Sequence, residues 1–153
     1  MAPDATQDLT SDVIEALSRL LATSYTLYLK THNYHWNVTG PMFTTLHTMF
    51  ETHYTELALA VDEIAERIRA LDAYAPGSSA EFTRLSAVKE EAGHPAAIDM
   101  VRALAADQRV VETSARSVIR AAEAAGDQAS ADLGVRRLQI HGKNGWMLRS
   151  HLA

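Results

Sequence analysis

At 153 residues, with 47% hydrophobic and 22% charged side chains, the chain has the size of one domain that buries its own core without disulfides or structural metals. A formal net charge of -5 and the absence of cysteine weigh against a nucleic-acid-binding surface, which needs clustered lysine and arginine, and against thiolate metal sites. Apolar runs are short and broken by charge, and Met1-Ala2-Pro3-Asp4 has neither the basic nor the apolar region of a signal peptide, so no membrane helix and a cytoplasmic location are expected.

Glycine and proline are sparse, and Pro3, Pro41, Pro76 and Pro95 fall at ends and turns. That spacing leaves long uninterrupted segments and predicts an all-α chain, a single domain over residues 1–153 with residues 1–7 as a short flexible N-terminal tail. A first helix from about Asp8 to Trp36 presents Val13, Leu17, Leu20, Leu21, Tyr25 and Tyr28. Thr10, Ser11 and Asp12 offer its N-cap, with Glu15 placed as in a capping box. Asn37-Val38-Thr39-Gly40-Pro41 reads as a turn, and a second helix from about Phe43 to Leu71 repeats apolar residues in steps of three and four, from Phe43, Leu46 and Phe50 to Ile64, Ile68 and Leu71. The stretch from Asp72 to Pro95 is too long for a plain loop and predicts a short helix around Ala80 to Ser86. A third long helix follows from about Ala96 to Ala125, and a fourth from about Asp127 to Leu152. Gly134, Gly142 and Gly145 lie inside that last helix, each costing about 1 kcal/mol relative to alanine if exposed, and the sequence offers no reason for them. Four long helices joined in this way predict a four-helix bundle.

The second helix carries the chemistry. His47 with Glu51, and Asp62 with Glu66, are two i, i+4 pairs, each with both side chains on one face one turn apart. Asp62 lies fifteen residues beyond His47, roughly 22 Å along a helix, which one metal centre does not span. An antiparallel second copy would bring the His47 end of one chain against the Asp62 end of the other, giving a two-fold interface with two equivalent shared sites. His35, just before the turn, joins the His47 end. Each of His47, Glu51, Asp62 and Glu66 follows a core position by one residue, about 100° of rotation, so the set turns away from the bundle interior and towards a neighbour. Two imidazoles and three carboxylates suit iron or zinc.

The segment His35-Trp36-Asn37-Val38 with Gly40, Phe43, Leu46-His47, Phe50-Glu51 and Asp62-Glu63-Ile64-Ala65-Glu66-Arg67-Ile68 resembles the signature of the Dps family, the ferritin-like miniferritins named for DNA protection in starved cells. Asp132-Leu133 and His141 to Trp146-Met147-Leu148 are similar to that family's last helix. The resemblance implies a ferritin-like bundle with a short helix between the second and third long helices. Twelve such subunits would form a hollow homododecamer that oxidises Fe(II), preferably with hydrogen peroxide, and stores Fe(III) mineral. It implies ferroxidase ligands His35, His47, Glu51, Asp62 and Glu66, although the family normally carries aspartate at the position of Glu51. Trp36 directly follows a ligand, which would place its indole near the metal as a buried anchor, as an electron donor or radical quencher, or as both. Asp132 corresponds to the family's iron-entry pore, and Asp127 and Glu123 lie beside it in sequence; a helix N-terminal acid is the competing reading of Asp127. Glu56, Glu63 and Asp72 are candidates for seeding mineral. His32, His53, His94, His141 and His151 are expected to be exposed or locally hydrogen-bonded.

Direct DNA binding is expected to be weak, because the first basic side chain is Arg19 and no lysine-rich tail is present. Protection of DNA would then be chemical, by removing Fe(II) and peroxide together. Two other readings stay open: a nucleoid-associated DNA-binding protein for which iron is incidental, and a zinc-occupied shell with little ferroxidase activity.

Overall fold

A computed structural model describes residues 4–153. Five helices follow one another: α1 (Ala5–Asn37), α2 (Phe43–Ala70), the short α3 (Ser79–Leu85), α4 (Ala97–Ala125) and α5 (Gln128–Arg149). The tight α1–α2 and α4–α5 connections make antiparallel pairs, α1 packs on both α2 and α4, and the long crossover carries α3 against α1. This is a four-helix bundle with one crossover, the ferritin-like arrangement expected from the helix order.

The apolar stripes meet as their spacing requires. Leu17, Leu20 and Leu27 of α1, Leu46, Phe50, Leu57, Ile64 and Ile68 of α2, Leu104, Val111 and Val118 of α4, and Leu133 and Leu148 of α5 are buried in one continuous core. Each such side chain contributes about 1.5–3 kcal/mol relative to exposure. Tyr25 and Phe43 depart from the expected stripe and stay partly exposed at the bundle edge.

Helix ends explain the differences in boundaries. α1 starts before Asp8, because the Asp4 carboxylate accepts from the Thr6 N–H at 3.1 Å and satisfies one of the first-turn donors. Ala5, Thr6 and Gln7 are therefore helix and not tail; the rest of that expectation, residues 1–3, lies outside the described residues. Glu15, expected in a capping box, instead pairs with Arg19 at 3.2 Å on the exposed face. α3 is capped by Ser78, whose hydroxyl accepts from the Glu81 N–H at 3.3 Å. Gly126, at φ 69°, ends α4 in the left-handed region, with the Asp127 N–H reaching back to the Ala122 carbonyl at 2.8 Å.

Gly134 has a tertiary reason. A Cβ there would meet Ile119 Cγ1 at 2.8 Å and the Ala115 carbonyl at 3.1 Å, so α4 and α5 approach more closely than any larger residue allows. No helix among the described residues is long and apolar enough to cross a membrane.

Candidate metal centre

The turn between α1 and α2 is short because Gly40 takes φ 108°, and its carbonyl accepts from the Phe43 N–H at 3.0 Å. It folds the last turn of α1 onto the first turns of α2 and stacks the His35 and His47 rings, centroids 3.8 Å apart and 13° from parallel. His35 Nδ1 lies 2.7 Å from the His47 carbonyl, and His47 Nδ1 lies 2.7 Å from the His35 carbonyl. A carbonyl only accepts, so both Nδ1 atoms carry hydrogen and donate. The pairing fixes one tautomer in both rings and leaves each Nε2 with its lone pair for a metal. Glu51 follows one turn later on α2 and is exposed. Burial, and after it the Glu51 charge, pushes the Tyr54 hydroxyl above its ordinary pKa.

Asp62 and Glu66 lie towards the other end of α2, both exposed. Their carboxyls share a hydrogen bond, which with the Asp62 charge raises the Glu66 pKa. Neither carboxylate has an ion-pair partner among the described residues. Among the described residues, no three or more histidine or acidic side chains surround a single point. One chain thus brings His35 and His47 together, with Glu51 one turn further along α2 but not clustered with them, and leaves Asp62 and Glu66 apart from both.

Trp36 is 59% exposed, and its indole stacks on His32 at 3.8 Å; within one chain it is no buried anchor. Of the suggested pore acids, Asp132 and Glu123 are exposed, and Asp132 pairs with Arg136 Nε at 3.3 Å. Asp127 is the N-cap of α5. It accepts from the Ser130 N–H at 3.0 Å and from Arg67 at 3.0 Å. Burial works against its charge, but the Ser130 and Arg67 contacts outweigh that and hold the carboxyl below the usual range. Its carboxylate is committed to the helix end, which favours the capping reading over pore lining. Glu63 is tied to Arg136 at 2.6 Å, and Asp72 takes a left-handed backbone, φ 64°, just after α2.

Sequence reasoning missed a buried polar network inside the bundle. Arg137 donates to both Glu56 oxygens, at 2.5 and 2.9 Å, and to His141 Nε2 at 3.0 Å. His141 Nδ1 in turn donates to Gln108 Oε1 at 2.6 Å. The chain of contacts joins α2, α5 and α4. His141 is fully buried; of the two expectations, exposure fails and local hydrogen bonding, to Arg137 one turn away, holds, and burial, the Arg137 charge and then His53 press its pKa down to about 3. His53 is also buried, without a hydrogen-bond partner on either ring nitrogen. The available signal was the i, i+4 sequence Leu133, Arg137, His141 on the inner stripe of α5. A second buried pair, Lys30 with Asp107 at 2.9 Å, ties α1 to α4. Nearby, Tyr34 donates to Glu91.

An antiparallel four-helix bundle with one long crossover, the His35 end of α1 folded against His47 of α2, defines a ferritin-like protein. The ferritin-like domain family matches residues 14–153. A DNA protection during starvation protein of Bacillus anthracis is 35% identical over 144 residues, covering 94% of this chain and 99% of its own. The fold superposes on Dps from Thermosynechococcus elongatus with a TM-score of 0.95 at 32% identity, covering 98% of this chain and 96% of the other. Dps of Vibrio cholerae O1, described as a member of a broad superfamily of ferritin-like diiron-carboxylate proteins, gives 0.91 at 29% identity over 100% of this chain and 98% of its own. The chain belongs to the Dps family of miniferritins.

Proposed function

We propose that the protein is a ferroxidase and iron store. It takes Fe(II) as substrate and oxidises it, preferentially with hydrogen peroxide, at sites built from His35, His47 and Glu51 of one copy and Asp62 and Glu66 of another. It keeps the Fe(III) as mineral inside a homo-oligomeric shell, for which family resemblance suggests twelve subunits. The observation that carries this reading is the reciprocal hydrogen bonding of His35, on α1, and His47, on α2, which occupies both Nδ1 atoms and leaves each Nε2 for another partner, while α2 carries the exposed acidic pair Asp62 and Glu66 further along. Neither half supplies enough ligands alone. Together they provide nitrogen and oxygen donors for a pair of Fe(II) ions.

Two Fe(II) ions side by side give two electrons to one peroxide, cleaving the O–O bond to two hydroxides without releasing a radical. The protein's part is to hold both ions and supply charge, while iron carries the redox step. DNA is then protected chemically, since a net charge of -5 per chain opposes contact with phosphates. The same donors accept zinc, which would compete for the site.

The test mixes zinc-free apoprotein anaerobically with two Fe(II) per chain, then adds peroxide and follows ferric absorbance beside a hydroxyl-radical trap. Rapid oxidation with little trapped radical, abolished in the His47→Ala, Asp62→Ala double variant, supports the reading. Oxidation no faster than in the variant, with radical formed, rejects it.

A further inference from the structure

The bundle core holds donors suited to a metal ion, with an arginine among them. On α2, His53 and Glu56 stand three residues apart and share a face; on α5, Arg137 and His141 stand four apart and share another. The Arg137 guanidinium donates to both Glu56 oxygens, at 2.5 and 2.9 Å, and to His141 Nε2 at 3.0 Å. His53 lies close by, near enough that the Glu56 charge acts on it and its own charge acts on His141. Arg137 and His53 are each 3% exposed, and His141 is wholly enclosed.

Three details set this group apart from an ordinary buried ion pair. His141 gives its Nδ1–H to Gln108 Oε1 at 2.6 Å, so Nε2 presents a lone pair to Arg137. A metal-ligating histidine is fixed in the same way, by a hydrogen bond on its other nitrogen. His53 has no hydrogen-bond partner on either ring nitrogen and Arg137 has none on Nε among the described residues, whereas buried polar groups are ordinarily satisfied. The guanidinium therefore leaves part of the donor set unused. Finally, two imidazoles and a carboxylate are a ligand set that takes a zinc-like ion with a fourth position open.

The spacing is nonetheless that of a guanidinium. A metal ion draws such donors in to about 2.0–2.2 Å, while a guanidinium, being wider, holds them further apart. In keeping with this, His53, Glu56 and His141 do not surround a single point at metal distance.

We infer that His53, Glu56 and His141 form a latent divalent-cation site inside the bundle, filled by the chain's own Arg137, and that this fixed cation shuts the core to metal ions. Arginine stays charged at any working pH. An incoming divalent ion meets that charge at close range and in surroundings of low polarity, where repulsion is strong. Divalent ions are thereby confined to side chains outside the bundle core. The inference does not depend on the ferroxidase reading, since it concerns only which side chains take a metal ion.

The experiment uses the assembled protein carrying His47→Ala and Asp62→Ala, so that both ends of α2 are disabled. Co(II) is added to this protein, and to the same protein with Arg137→Ala, and visible absorption is read. With Arg137 present, no intense tetrahedral Co(II) band is expected. With Arg137→Ala, an intense band should appear, saturate at about one ion per chain and be displaced by zinc. Adding His53→Ala to Arg137→Ala should abolish it. A tetrahedral band in the presence of Arg137, no band in its absence, or a band that survives His53→Ala overturns the inference. Where Arg137→Ala does not hold the fold without metal, circular dichroism decides. Recovery of helix on adding Co(II), absent when His53→Ala is also present, supports the latent site; failure to recover, or recovery without His53, overturns it.

Discussion

His35 and His47 hold each other through their backbones, each Nδ1 2.7 Å from the other's carbonyl. No side-chain partner intervenes, so the two ring orientations are locked to the turn that joins α1 and α2. Both rings are therefore expected as the Nδ1–H tautomer in the metal-free protein. Nitrogen-15 NMR of histidine-labelled protein at neutral pH checks this; an Nε2–H signal from either residue contradicts the geometry.

Arg137 is a cation in the core with a two-point grip on Glu56 and a third contact to His141. Removing Arg137 leaves Glu56, whose side chain is 35% exposed and can be solvated, and takes a donor from buried His141, so the cost lies below that of a fully buried pair, at about 1–3 kcal/mol. Arg137→Ala is expected to lower unfolding stability by an amount in that range at fixed protein concentration, and Arg137→Lys to recover only part of it, since an ammonium does not reproduce the two-point contact. Denaturant unfolding gives the comparison, and an Arg137→Ala loss below about 1 kcal/mol would mean the network is ornamental.

The same network sets an acid limit. Burial and Arg137 hold the His141 pKa at about 3 against an ordinary 6.5, so the folded protein keeps this ring neutral where the unfolded chain protonates it. Stability from His141 is fully present above about pH 6.5 and is lost as pH falls towards the folded pKa, by up to about 1.4 kcal/mol per pH unit. His141→Gln should flatten the stability profile between those limits. An unchanged slope would sink the assignment.

Gly134 and Gly142 offer a matched pair of substitutions to alanine. Helix propensity alone favours both by about 1 kcal/mol. At Gly134 the new methyl would stand 2.8 Å from Ile119 Cγ1, and overpacking of this kind costs about 1–3 kcal/mol. At Gly142 the nearest atom is the end of the Glu112 side chain at 3.5 Å, an ordinary contact. Gly134→Ala is expected to destabilise and Gly142→Ala to stabilise; thermal unfolding of the two, with matching signs, would refute the close-approach account.

Gly134 also marks what was illegible in the sequence. Helix periodicity and sparse proline announced the bundle, because both are local properties of the chain. The separation of His47 with Glu51 from Asp62 with Glu66 was legible for the same reason: spacing along one helix is enough to set the two pairs apart. The closeness of α4 to α5 at Gly134 is a property of two elements at once, and nothing near Gly134 in sequence reports it. The burial of His53 and His141 has no unambiguous sequence signal, because a polar residue on an apolar stripe looks the same whether it meets solvent or a buried partner; Gln108, a partner of His141, lies on another helix. The start of α1 was misplaced because Asp4, Thr10, Ser11 and Asp12 are all competent caps, and only Asp4 is used.

The central claim is that each metal site is completed by a second copy, and subunit mixing tests it directly. His47→Ala and Asp62→Ala proteins, each inactive alone, are dissociated, mixed in equal amounts and reassembled. A mixed two-fold pair has one doubly damaged site and one site with both ligand sets intact, so random pairing should restore about a quarter of the parental peroxide-driven Fe(II) oxidation. Recovery near that level is the result the account predicts. No recovery after verified subunit exchange would mean that His47 and Asp62 must belong to the same chain, and the shared site would be wrong.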